Sequence, residues 1–180
     1  MYKNPLNSQV SKEQTPCLSC DLLKKQKDTI GGVIISTKHF EARQDYAVPI
    51  PGFVILSTKR HVKSIDEFTR EERHEFIDLL YEIRKNMRSA LNIETAYLIQ
   101  EEDASHFHLW LFPRYDWMNE LGRKIKSVKP IMQWAQKNLQ TPENLENIRD
   151  ATEKLRKFLS NFSQSKNDIC KKQSLSKVFI

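Results

Sequence analysis

Ser105-His106-Phe107-His108-Leu109-Trp110-Leu111-Phe112-Pro113 is the stretch that decides the fold. Read as a β-strand, its period of two places His106, His108 and Trp110 on one face and Phe107, Leu109 and Leu111 on the other. A chemically capable row therefore backs onto an apolar one. Two histidines two residues apart on a strand can hold a metal, hold a phosphate or attack one, and the surrounding sequence has to choose among these.

Outward from this strand, the preceding Glu101-Glu102-Asp103 is an acidic turn, and Thr95 to Gln100 before it is an antiparallel partner strand. Upstream, Thr69 with Glu72 three residues later forms a capping box that opens a long helix. Its stripe Phe76, Leu80, Ile83, Met87 and Leu91 keeps helical spacing and is predicted to lie on the sheet. Three further strands are predicted over Thr29–Ser36, His39–Asp45 and Phe53–Thr58, the first two joined by a hairpin through Thr37 and Lys38 and the last preceded by the turn Pro49-Ile-Pro51-Gly52. Beyond Pro113, one helix is expected over Val128–Leu139. Another starts at Thr141 as N-cap with Pro142 in its first turn, carrying Leu145, Ile148, Leu155 and Leu159, and the two are expected to pack as a helical hairpin.

The fold class is therefore α+β: an antiparallel sheet with a long packed helix, plus a C-terminal helical extension. The expected boundaries are a loose leader over 1–16, a main domain over 17–118, the extension over 119–160 and a polar, mobile tail over 161–180.

With 180 residues, 39% of them hydrophobic and 29% charged, the composition is that of a globular protein with a core, and no apolar run approaches the roughly 20 residues that cross a bilayer. The N-terminal segment has no apolar signal core, so a cytoplasmic location is expected. A net charge of +6 favours anionic partners, but the lysines are spread thinly, which points to a small anionic ligand rather than to nucleic acid.

Cys17-Leu18-Ser19-Cys20 is spaced to hold one ion through two sulfurs, and a tetrahedral zinc site needs two further ligands. Of five histidines, His74 falls inside the long helix and His39 lies far from any partner motif, and the expected recruits are His61, at a strand end, and His106, at the head of the histidine strand. A Cys17, Cys20, His61, His106 site would be structural, since four protein ligands leave no open position. A lone Cys-x-x-Cys fits a redox pair as well, with His61 a surface residue.

The combination of Pro51-Gly52 before a strand, Lys59-Arg60-His61-Val62 at its end, a long helix and then His-Phe-His-Leu-Trp-Leu-Phe-Pro resembles the histidine triad (HIT) superfamily of nucleotide hydrolases and transferases. The likeness runs from about Cys17 to Arg114, and dinucleoside tetraphosphate hydrolase-like bacterial members with zinc resemble it in particular. It implies a nucleotide substrate and a covalent nucleotidyl-histidine at His108, the middle motif histidine. It also implies structural zinc on Cys17, Cys20, His61 and His106, ribose binding by Asp45, a phosphate contact from Gln100, and a twofold homodimer.

The sequence departs from the family pattern at Trp110, which stands where the third motif histidine is expected, and at the acidic turn, which replaces a glycine-rich one. Tryptophan offers one N–H and cannot relay a proton. Uridylyltransferase relatives also replace this histidine and keep the nucleophile. Ser105, Trp110 and Gln100 are the candidate donors to phosphate oxygens, with Arg114 a further cation nearby. Three carboxylates beside a polyphosphate would repel it, so the turn faces away or the substrate carries compensating charge. The alternative to an enzyme is a zinc-stabilised nucleotide-binding or sensor module with little catalysis.

Overall fold

A computed structural model describes residues 17–25 and 29–175 of the chain. Helix α1 (Leu18–Lys25) precedes three strands, β1 (Val33–Ser36), β2 (Phe40–Gln44) and β3 (Val54–Thr58). The long helix α2 (Arg70–Leu91) leads to β4 (Thr95–Gln100) and β5 (His108–Arg114), and the chain ends in α3 (Val128–Asn138) and α4 (Pro142–Leu175). The strands form one antiparallel sheet in the order β1-β2-β3-β5-β4. The α+β class and the strand pairing are as the sequence indicates; the leader over 1–16 lies outside the described residues.

Local chemistry sets the element boundaries. Thr69 accepts from the Glu72 amide (3.2 Å) while the Glu72 carboxylate accepts from the Thr69 amide (2.7 Å), so the capping box opens α2, and Asn92 closes it in the left-handed region at φ 55°. β1 begins at Val33 rather than at Thr29 because Gly31 and Gly32 take φ of +78° and +66°. A Cβ on Gly31 would lie 2.6 Å from Thr152 Oγ1, so this bend also lets α4 approach closely.

Alternation along β3 and β5 builds two cores. Val54, Leu56, Leu109 and Leu111 face α2 and α4, packing with Phe76, Leu79, Ile83, Met87, Leu155 and Leu159. Phe53 and Phe112, with Ile55 and Trp110 against them, face the opposite side and pack with Ile131 and Ala135 of α3.

Two expectations are corrected here. Leu79 is fully buried, whereas Leu80, placed on the stripe by spacing, is only partly covered and borders an outer groove with Tyr81 and Leu98. Both leucines satisfy an i+3 or i+4 step from Phe76, and packing chooses between them. The two C-terminal helices do not bury their apolar stripes in a shared hairpin: α3 packs on one face of the sheet and α4 on the other. Helix α4 also continues to Leu175, past the residue where the loose tail is expected to begin. Among the described residues, no helix is long and apolar enough to cross a membrane.

Candidate active site and metal centre

β5 is one residue set shorter than the motif that predicts it, because His106 and Phe107 are fixed before the ladder begins. The Phe107 amide donates to the Val62 carbonyl (2.6 Å), and its ring is sealed among Phe68 and Phe76 with centroids 4.8 and 5.6 Å away. This anchor turns its two neighbours outward to separate tasks.

His106 is 2% exposed. Its Nε2–H donates to the Thr58 carbonyl (2.7 Å), which leaves Nδ1 without a proton and facing the sulfurs of Cys17 and Cys20 at 3.4 Å each. His61 Nδ1 lies 3.2 Å from Cys20 Sγ, and the four ligand atoms all fall within 4.8 Å of one another. An ion at about 2.3 Å from sulfur and 2.0 Å from nitrogen separates tetrahedral ligands by roughly 3.5–3.8 Å, so the cluster needs only a small adjustment to close on one. The Thr58 carbonyl supplies the outer-shell hydrogen bond that fixes a metal-binding imidazole. Burial pushes the His106 imidazolium down and the Cys20 thiol up from their ordinary values; the first suits a neutral ligand, and a dication opposes the second. Cys17, Cys20, His61 and His106 thus fit a structural zinc ion, which would dock α1 onto the sheet.

His108 projects from the other side of the anchor. Its Nδ1–H donates to the His106 carbonyl (3.0 Å), a choice of tautomer that leaves the Nε2 lone pair free. Among the described residues Nε2 makes no hydrogen bond. It borders a cavity of about 320 Å³ that Asp45, Ser105 and Trp110 also line. Asp45 Oδ1 accepts from the Ala47 and Val48 amides (2.9 and 2.7 Å), closing the turn after β2, while Oδ2 is unused by any described residue. Burial pushes the Asp45 carboxyl up from its ordinary value, against those two amide bonds and His108. Trp110 stacks edge-on against Phe53, 5.7 Å between centroids, and lies 6.1 Å from the His108 ring, so its indole is wedged between the reactive row and the α3-side core.

Other predicted residues lie elsewhere. Gln100 pairs in register with Leu109 and so shares the α2 face; it does not line the cavity, and its buried Nε2 has no hydrogen-bond partner among the described residues. Arg114 donates to Asn119 and to the Gly122 carbonyl (3.2 and 3.0 Å), away from His108, and staples the turns before α3. None of Glu101, Glu102 and Asp103 lines the cavity, and Glu102 accepts from the Ser64 hydroxyl (2.6 Å), so the acidic turn faces away. Conversely, Arg43, Met132 and Gln136 line the cavity and carry no sequence motif. For Arg43 the signal available was its place in β2 on the same face as Asp45; for the α3 pair there was none, since the crossing of α3 to this face is a tertiary event.

No family model matches the chain. A galactose-1-phosphate uridylyltransferase of Thermotoga maritima is 28% identical over 102 residues, 53% of this chain, and the match spans only 31% of that relative. Among solved structures, a zinc-bound histidine triad family protein from Mycobacterium smegmatis aligns with a TM-score of 0.56 and 15% identity over 83% of this chain and 96% of its own. A hypothetical histidine triad nucleotide-binding protein from Sulfolobus tokodaii aligns with 0.56 and 15% identity, covering 81% and 93%. A HIT family protein from Bacillus anthracis aligns with 0.50 and 25% identity, covering 73% and 91%. The chain therefore has the fold of the histidine triad proteins.

Proposed function

We propose that the chain hydrolyses a nucleoside phosphate conjugate of the dinucleoside polyphosphate kind, or transfers its nucleotidyl group, through a covalent intermediate on His108. The observation that carries this reading is the His108 Nδ1–H bond to the His106 carbonyl, with Nε2 unengaged at the cavity wall. In the first step Nε2 attacks the α-phosphorus, the bond to the leaving oxygen breaks, and a phosphoramidate forms on His108. Water or a second acceptor then attacks phosphorus, the P–N bond breaks, and the imidazole is restored. In this reading Asp45 accepts from ribose hydroxyls, and Ser105 and the Trp110 indole N–H donate to non-bridging oxygens; that all three line the cavity with His108 supports it. The fold and the uridylyltransferase relative support nucleotide chemistry; the choice of His108 rests on the tautomer.

Intact-protein mass spectrometry tests it: brief incubation with a panel of adenosine, guanosine and uridine conjugates, quenched without acid. A nucleotide-sized gain in the wild type, absent from His108→Ala, is expected. Turnover of any conjugate by His108→Ala at the wild-type rate would sink the assignment. Trp110 favours a second reading, a zinc-stabilised nucleotide-binding or sensor module, because an indole cannot protonate a leaving group. Tight nucleotide binding without adduct or product, in folded zinc-loaded protein, selects that reading.

Assembly as a homodimer belongs to the same proposal. β4 is an edge strand, and beside it Ile77, Tyr81 and Leu98 are 59%, 64% and 51% exposed, a patch suited to a second copy of this chain. Light scattering should return twice the monomer mass, and Leu98→Glu should halve it; a wild-type monomer refutes this.

A further inference from the structure

Two charged residues sit where the strand pattern would put apolar ones. On β2, Arg43 pairs with Ile55 and through it with Trp110, while Glu41 pairs with Ser57 and through it with His108. Both therefore lie on the reactive face, and they are only 5% and 8% exposed. Burying a guanidinium and a carboxylate carries a large desolvation cost, which their pairing only partly offsets. The Arg43 Nε and Nη2 both donate to Glu41 Oε1, the Nε bond at 3.1 Å, and Nη2 also reaches the Leu22 carbonyl of α1 at 3.4 Å. Nη1 makes no hydrogen bond among the described residues. Among the described residues, Arg43 is the one Lys or Arg lining the cavity.

Its position within the cavity sets what it can touch. Two strand spacings, about 10 Å, separate β2 from β5. Glu41 and the α1 carbonyl hold the guanidinium on the β2 side of the cavity. A nucleoside whose phosphate sits at His108 covers a distance of the order of two strand spacings, which carries its base toward β2. Around Arg43 the wall is apolar, from Leu18 and Leu22 of α1 and Ile55 of β3, which suits a base. A guanidinium there offers donors only and no acceptor.

We propose that Arg43 reads the base. Its Nη1 donates to the carbonyl at position 6 of a purine or position 4 of a pyrimidine, so the cavity selects guanine, hypoxanthine and uracil (the oxo bases) over adenine and cytosine, which present an amine donor at that position. Guanine and hypoxanthine gain most, since N7 beside O6 offers Nη1 a second acceptor on the same edge. Glu41 holds the guanidinium in plane through Nε and Nη2. This rests on the nucleotide reading above and names the substrate class within it.

Calorimetric titration of the zinc-loaded protein with guanosine and adenosine, and with GMP, IMP, UMP, AMP and CMP, tests it. An oxo-base preference of about ten- to a hundredfold is expected. It should persist in the nucleosides, because the contact does not involve phosphate. The double variant Glu41→Gln/Arg43→Met removes both charges together, and it should bind guanosine and adenosine alike. Arg43→Lys keeps the ion pair without the planar fork; it should lower the preference too, and it decides the matter if the double variant fails to fold. Equal affinity for all bases in the wild type overturns the inference and leaves the nucleotide reading standing. An unchanged preference in the folded variants also overturns it and makes the pair a mere staple for α1. A preference that vanishes in the nucleosides reassigns Arg43 to phosphate. No nucleotide bound at all overturns both readings.

Discussion

Truncating Phe107 to alanine tests how the motif is held. The ring is 1% exposed and stacks edge-on against Phe68 and Phe76, while its backbone amide is tied to Val62 between the zinc-binding His106 and the proposed nucleophile His108. Replacing a buried phenylalanine by alanine costs about 3–5 kcal/mol. At about 2–4 °C per kcal/mol for a chain of this size, Tm should fall by about 6–20 °C. Because the His108 tautomer depends on the carbonyl of His106, one residue from the lost anchor, the rate of adduct formation should fall as well, even at temperatures where the variant is fully folded. Differential scanning calorimetry and quenched mass spectrometry on the same samples read both effects. A fall in Tm under about 3 °C, no more than about 1.5 kcal/mol, would show that the ladder and not the ring fixes the motif. Full destabilisation with an unchanged adduct rate would separate the anchor from the chemistry.

Chelation should release one zinc per chain and undock α1, whose eight residues are too few to hold a helix alone and contribute no side chain to either core cluster. Hydrogen exchange should then lose protection over Leu18–Lys25 while α2 keeps its own; loss of protection in α2 would instead make zinc essential to the whole domain. Hydrogen bonding from Arg60 holds the Glu72 carboxyl down at about 2, from an ordinary 4.5, so its contribution is complete above about pH 4.5 and is lost as pH falls toward 2. Glu72→Gln should be less stable than wild type at pH 7 and converge with it by pH 2–3 in thermal melts; a constant gap refutes the linkage. Trp110→His should restore a proton donor and raise hydrolysis by about a hundredfold or more, in the range of general acid catalysis. An unchanged rate would mean that leaving-group protonation does not limit turnover.

The period-two pattern of residues 105–113, the Thr69/Glu72 capping box and the Pro51-Gly52 turn made the sheet and α2 legible, because each is a local preference that agrees with the tertiary result. The zinc ligands were legible from Cys-x-x-Cys and a short histidine inventory. Choices among locally equal options were not legible. Leu79 and Leu80 both satisfy helical spacing, and α3 and α4 both have amphipathic stripes, yet packing buries Leu79 and sends the two helices to opposite faces of the sheet.

By itself, then, the sequence determined the α+β class, the row of His106 and His108, and the residue types available for metal and phosphate chemistry, since these follow from backbone periodicity and side-chain inventory. Only the tertiary structure decided that the Phe107 ring is sealed against Phe68 and Phe76 between the two histidines. It also decided that Gln100 turns to the α2 face, that the acidic turn points away, and that Arg43 is buried beside Glu41 in the cavity wall. Those outcomes depend on which strands are neighbours and which helix covers which face. Long-range packing sets both, and no local stretch of chain encodes them.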